Sequence, residues 1–149
     1  MLKLYTSPGA CSTACHIALQ ESGVPFETKV ISFEDGYLDS KEFTRVNPKG
    51  YIPFLEIDST RNLTEGTAIL QYIADQAPDR NLFPSKGFEK YKALEWLNYI
   101  ATEVHKPMGR LFTVEETFSE PKARTEYVNS ITNHLNDQFK YLDTQLEGK

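Results

Sequence analysis

The sequence predicts two parts of different class, an α/β layer at the N-terminus followed by an all-α part. Three observations carry this prediction. Short apolar runs alternate with helical stretches up to about Pro78, and everything after Pro84 reads helical. The stretch between them, Ala77-Pro78-Asp79-Arg80-Asn81-Leu82-Phe83-Pro84, joins polar turn formers to two prolines that cannot continue a helix. The expected organisation is an α/β domain over 1–77, a linker over 78–85 and a helical domain of two long helices over 86–149.

Leu2 to Tyr5 and Glu27 to Phe33 have the composition of strands. Between them a helix carries Ala14, Ile17 and Ala18 on one face and ends at Gly23. Pro53 to Ile57 and Asn62 to Leu63 make a hairpin around Asp58-Ser59-Thr60-Arg61, and Ile69, Leu70 and Ile73 then recur at helical spacing. A β-α-β unit followed by β-β-α is the pattern of a thioredoxin-like layer. Beyond the linker, Lys86 to about Phe112 reads as a helix bearing Leu94, Leu97, Ile100 and Val104, interrupted or kinked at Pro107, which lacks an amide hydrogen. From about Glu120 to Glu147, Val128, Ile131, Leu135, Phe139, Leu142 and Leu146 follow steps of three and four, which predicts one buried stripe.

Composition narrows the class of partner. Sixteen Lys and Arg against 21 Asp and Glu give a net charge of −5, which disfavours nucleic acid or an anionic membrane surface. The N-terminus has no apolar run of signal-peptide length, and nowhere do about 18 apolar residues follow one another. The expected location is therefore cytoplasmic. Two cysteines in a chain of this size are not a disulfide framework, so a reducing compartment and separate roles for the thiols are expected.

Four motifs can each hold part of a small peptide. In Thr6-Ser7-Pro8-Gly9-Ala10-Cys11-Ser12 a thiol stands where a strand gives way to a helix, among unpaired amides and the macrodipole that favour an anion, so its pKa is expected to fall. A buried structural cysteine is the competing reading of Cys11, and a helix cap that of Ser12. In Asn47-Pro48-Lys49-Gly50-Tyr51-Ile52-Pro53, a cis bond before Pro53 would turn the Ile52 amide and carbonyl outward for an extended peptide to pair with, the alternative being an ordinary turn. Leu63-Thr64-Glu65-Gly66-Thr67 puts a carboxylate and a free amide at a helix start, suited to an ammonium and a carboxylate group or simply to capping. On the long helix Asn98, Thr102 and His105 share one face with Lys106 at its margin, a stripe that by itself is a solvated surface. Cys15, four residues after Cys11, reads as a small core residue because bridging the two would strain the helix, and His16 as a packed histidine.

With these motifs the sequence resembles the bacterial glutathione transferases, and is most similar to the beta class over essentially its whole length. The resemblance implies the glutathione transferase fold, with the helical domain incomplete because the family's later helices have no counterpart here. It implies glutathione as co-substrate, no metal, a hydrophobic electrophile as second substrate and a homodimer acting in detoxification. By the same resemblance Cys11 lies beside the glutathione sulfur and is able to form a mixed disulfide with it, and Ser12, Ile52, Pro53, Glu65 and Gly66 bind the tripeptide. Asn98, Glu103, His105 and Lys106 help line the site, some from the partner subunit, with His105 and Lys106 favouring the thiolate. Two departures stand out: Cys15 replaces the family's usual proline, and Phe33-Glu34-Asp35-Gly36 lacks the expected lysine. Other functions compatible with the same residues are a non-catalytic glutathione or ligand carrier, or a piece of a longer transferase.

Overall fold

Alternation along the first strand sets up the layers of the computed structural model, which describes residues 1–148. In β1 (Leu2–Thr6) Leu2 and Leu4 point to one face of the sheet and Tyr5 to the other, as a period of two demands. The first face meets α1 (Ser12–Ser22) and α3 (Gly66–Gln76), so that Leu2, Leu4, Cys15, Leu19, Leu55, Ile69 and Ile73 form one core. On the second face Tyr5, Ile31, Ile52 and Phe54 gather around Phe43 of α2 (Lys41–Val46). The sheet is completed by β2 (Phe26–Val30), β3 (Phe54–Glu56) and β4 (Asn62–Thr64) in the order β2-β1-β3-β4. β1 is parallel to β2, in register Leu4↔Thr28, and antiparallel to β3 (Leu4↔Leu55), while β3 and β4 pair antiparallel as a hairpin. This is the thioredoxin-like layer expected from the sequence.

Several elements depart from expectation for local reasons. α1 buries Ser12, Cys15, Leu19 and Ser22, whereas Ile17, expected inside with Ala14 and Ala18, is 58% exposed. The apolar stripe of α1 is thus carried by a serine-cysteine-leucine line. β2 stops at Val30: the Ile31 amide still donates to Thr6, but Ser32 and Asp35 then accept from the Glu34 and Tyr37 amides and turn the chain away. α2 has no counterpart in the sequence reading. It starts on Ser40, whose hydroxyl accepts from the Phe43 amide, with Glu42 in the first turn, a helix-start signal that a short element leaves easily unread.

The chain groups into two compact units, Met1–Tyr91 and Lys92–Lys149, and the division falls inside α4 (Gly87–Tyr99). The stretch expected as a linker belongs with the first unit: Leu82 packs on the core formed by α1 and α3, and the Arg80 guanidinium lies 3.2 Å from where a Cβ on Gly23 would stand.

In the second unit the expected single helix is broken well before Pro107. A π-helical segment, Ile100–His105, follows α4, with the Lys106 amide donating five residues back to Ala101. It leads into α5 (Lys106–Gly109), a 3₁₀ turn at Arg110–Thr113 and α6 (Val114–Thr117). The cause is still Pro107, whose ring crowds the carbonyl four residues back, that of Glu103, and supplies it no donor. That carbonyl is instead bonded by His134 Nε2 at 3.0 Å, which makes Nε2 the protonated nitrogen. His134 lies on α7 (Pro121–Leu146), whose Ile131 and Leu135 pack with Val104 into the unit's small core. The predicted stripe holds in its middle and fails at its end, since Phe139 is 45% and Leu146 66% exposed.

Candidate functional site

The approach of α1 to the turn before β3 fixes the centre of the site. Cys11 caps α1, and although the residue as a whole is exposed, its sulfur turns inward to 3.7 Å from the Ile52 carbonyl oxygen. Removal of that sulfur from water raises its pKa, against the smaller opposing pull of the Cys11 and Ser12 amides. The expected depression is therefore corrected: desolvation outweighs the helix amides, and Cys11 is held as a thiol.

Ser12 is bonded inside its own loop. Its hydroxyl is fully buried and consumed within the loop joining β1 to α1, accepting from Thr6 Oγ1 and the Ser7 amide, both at 3.0 Å. It does not cap the helix; it holds the shape of the loop that presents Cys11. Cys15 is a core residue as expected, with no exposure, its sulfur 3.9 Å from the Gly66 carbonyl oxygen and its pKa pushed up to about 12 by burial and then by the neighbouring Cys11. His16 packs edge-on against Phe26.

The Ile52–Pro53 peptide is cis. Among the described residues no hydrogen bond is made by the Ile52 amide, and the Ile52 carbonyl takes only the weak contact from Cys11. The loop before it is organised by Asn47, which is 1% exposed. Its Nδ2 donates to the Tyr51 carbonyl at 2.7 Å, its Oδ1 accepts from the Lys49 amide at 3.2 Å, and its own carbonyl accepts from the Gly50 amide at 3.0 Å. Sequence reading quoted this motif but did not single out Asn47. The available signal was an Asn-Pro pair five residues before another X-Pro pair, the pattern of a side chain that closes a turn on its own backbone.

Glu65 and Gly66 follow at the start of α3. Glu65 has φ 67° and ψ 112°, a conformation that costs a non-glycine residue of order 1–3 kcal/mol. Its Oε1 accepts from Tyr51 Oη at 2.7 Å and Lys49 Nζ at 2.8 Å, and Lys49 also donates to Thr64 Oγ1. Lys49 and Tyr51 thereby join the site, and the motif at 47–53 is tied to the motif at 63–67. A Cβ on Gly66 would stand 3.7 Å from Pro53 Cγ and 3.9 Å from Cys15 Sγ, so the start of α3 lies directly on the proline and the second thiol.

The first unit thus brings together Cys11, Ile52, Pro53, Glu65 and Gly66. Asn98, Glu103, His105 and Lys106 belong to the second unit, where all four are exposed. Asn98 Nδ2 donates back to the Leu94 carbonyl, and the Asn98 carbonyl accepts from Thr102 Oγ1. The π segment widens the turn between Thr102 and His105, so the expected common face of Asn98, Thr102 and His105 does not continue through it. Two cavities lie elsewhere: one of about 430 Å³ is lined by His16, Gln20 and Phe26 among others, and one of about 360 Å³ by residues around Pro78 and Pro84.

Residues 1–75 match the family described as glutathione S-transferase, N-terminal domain. The chain is 40% identical over 150 residues to glutathione S-transferase GstA of Escherichia coli O157:H7, covering 99% of this chain and 71% of the relative. It is similar to the solved beta class glutathione S-transferase of Sphingomonas chungbukensis, with 37% identity, a TM-score of 0.84, and 99% and 71% of the two chains covered. A sphingomonad glutathione S-transferase solved in complex with glutathione matches at 36% identity and TM-score 0.82, again over 99% and 71%.

Proposed function

The chain belongs to the glutathione S-transferase family, and from that premise we propose that it binds reduced glutathione as co-substrate and transfers it to a hydrophobic electrophile. The tripeptide lies extended along the turn at Ile52 and Pro53, pairing with the Ile52 amide. Its γ-glutamyl ammonium goes to Glu65, oriented by Lys49 and Tyr51, and its γ-glutamyl carboxylate to the Gly66 amide at the positive end of α3. Its sulfur lies beside Cys11.

In this reading Cys11 acts first as a donor. A protonated thiol and the amides at the start of α1 stabilise the glutathione thiolate, which then attacks the electrophilic carbon while the leaving group departs. For Asn98, Glu103, His105 and Lys106, which belong to the second unit, a role in binding glutathione rests on the family resemblance alone. Thiol-disulfide transfer through Cys11 is a second activity of the same site. A homodimer accords with the exposure of Phe112 (82%) and Leu146 (66%) on the second unit. A role in detoxification and a cytoplasmic location follow from the same reading, since both cysteines are free thiols.

The observation that supports the proposal most is the 3.7 Å approach of Cys11 Sγ to the Ile52 carbonyl, which joins a thiol to the backbone edge a tripeptide would use. The test is calorimetric titration with reduced glutathione, followed by conjugation to a halogenated nitroaromatic. Saturable binding with thioether formation is expected. Absence of binding overturns the proposal, and binding without turnover on a broad electrophile panel identifies a carrier instead.

A further inference from the structure

Cys11 and Cys15, four residues apart at the start of α1, contact two different segments, the loop at Ile52 and the start of α3 at Gly66, which meet at Pro53. Cys11 Sγ lies 3.7 Å from the Ile52 carbonyl oxygen, and Cys15 Sγ 3.9 Å from that of Gly66, where a Cβ would also stand 3.7 Å from Pro53 Cγ. One sulfur faces Ile52 and the other shares Gly66 with Pro53, the next residue. The pair is also coupled electrostatically, since charge on Cys11 raises the proton affinity of Cys15.

We propose that Cys11 and Cys15 form a working dithiol, in which Cys15 resolves the mixed disulfide that Cys11 makes with glutathione. The inference rests on the glutathione reading above and adds a reaction to it. In the first step Cys11 attacks glutathione disulfide: a Cys11–glutathione S–S bond forms, the bond within glutathione disulfide breaks, and one glutathione leaves with the proton from Cys11. In the second, Cys15 attacks Cys11 Sγ, the Cys11–Cys15 bond forms, and the second glutathione leaves with the proton from Cys15. Two protein thiols are oxidised to one disulfide, and one glutathione disulfide is reduced to two glutathione molecules.

Helix geometry permits the second step at the cost of one turn. Residues four apart on a helix have Cα atoms about 6 Å apart, inside the range of about 4.4–6.8 Å that a disulfide spans. Their Cβ atoms must come closer than a regular helix holds them, so the first turn has to open. Within that turn Cys11 makes no side-chain cap and its carbonyl accepts from the Ala14 amide at a long 3.3 Å, while Ser12 stays tied to Thr6 and Ser7. The core residue Leu19 lies beyond the segment that must move. Burial keeps Cys15 from outside reagents, and the four-residue spacing makes Cys11 the sulfur within reach once the first turn opens.

The test is incubation of the fully reduced protein with glutathione disulfide, followed by acid quench, alkylation after unfolding, intact mass and peptide mapping. The wild-type chain is expected to gain one glutathionyl group on Cys11 and then to lose it, ending two hydrogens lighter with neither cysteine alkylated. Cys15→Ala is expected to stop at the adduct, with Cys15→Ser as a second variant should alanine disturb packing, each checked by circular dichroism. A wild-type chain that stops at the adduct with Cys15 still alkylated overturns the resolving role and leaves the glutathione reading intact. Absence of an adduct in the Cys15 variants, together with absence of heat on titration with reduced glutathione, overturns both.

Discussion

Replacing Asn47 with alanine tests the site through the one side chain that shapes its loop without touching ligand. Asn47 is 1% exposed and holds Tyr51 and Lys49 by side-chain hydrogen bonds of 2.7 and 3.2 Å. Losing the pair costs about 1 kcal/mol per bond, and the Tyr51 carbonyl left without its donor adds roughly 1–3 kcal/mol where water does not replace it. With partial rehydration the total is about 2–4 kcal/mol, which for a chain of this size lowers Tm by roughly 5–15 °C. Because the same loop delivers the Ile52 amide and the Tyr51 hydroxyl, affinity for reduced glutathione is expected to fall about tenfold or more, the equivalent of about 1.4 kcal/mol of lost positioning. Thermal melts by circular dichroism and calorimetric titration of the same preparations measure the two effects. Asn47→Asp, which keeps the acceptor and buries a charge, should melt at least as early as Asn47→Ala. An Asn47→Ala chain melting within about 1 °C of wild type would refute the role given to this residue.

Cys11 should be alkylated by iodoacetamide with a pH midpoint above the ordinary cysteine range, because burial raises its pKa; peptide mapping separates it from Cys15, and a midpoint at or below that range would contradict the geometry. Cys15, raised from 9.0 to about 12, binds its proton in the folded chain at pH values where the unfolded chain has lost it. Its contribution is thus intact below pH 9 and is lost as pH rises from 9 toward 12, with a slope of up to about 1.4 kcal/mol per pH unit. Denaturant titrations should show this alkaline loss in wild type and its reduction in Cys15→Ala. Glu65→Gly relieves the positive-φ conformation while removing the carboxylate, so stability should change by no more than about 1 kcal/mol while glutathione affinity collapses. A variant that binds normally would remove Glu65 from the site.

What could be read from the sequence was what periodicity and turn chemistry express locally. β1, the β3–β4 hairpin, α3 and the middle of α7 announce themselves because each apolar set lies on the face that meets the core. α1 does not, since its buried line includes Ser12 and Cys15, residues whose burial depends on the Thr6–Ser7 network and on Gly66. The π segment was half legible: Pro107 predicts a break, but its place depends on His134, thirty-one residues from Glu103 in sequence, arriving to satisfy the freed carbonyl. At the site the residue types and their order were readable, whereas the hydrogen-bond assignments were not. Ser12 was expected to face a ligand and faces its own loop, while Lys49 and Tyr51, quoted only as part of a motif, hold the Glu65 carboxylate.

The largest difference between sequence and structure concerns the charge on Cys11, and it bears on mechanism. A helix start alone argues for a thiolate, and an ionised Cys11 would stand beside the sulfur of bound glutathione. Two sulfur anions about 4 Å apart repel by roughly 4 kcal/mol at an effective dielectric constant near 20, which would oppose the ionisation that conjugation needs. Burial of Cys11 against Ile52 removes that conflict by keeping its proton, so the amides at the start of α1 are left to the co-substrate and the Cys11 S–H becomes a further donor. The same proton makes Cys11 a slow nucleophile toward disulfides in the reduced protein, so in the proposed mechanism conjugation would precede thiol exchange while reduced glutathione is in excess. Under the proposed dithiol, exchange would gain ground as glutathione disulfide accumulates, and Cys15 would set whether the adduct persists or is released.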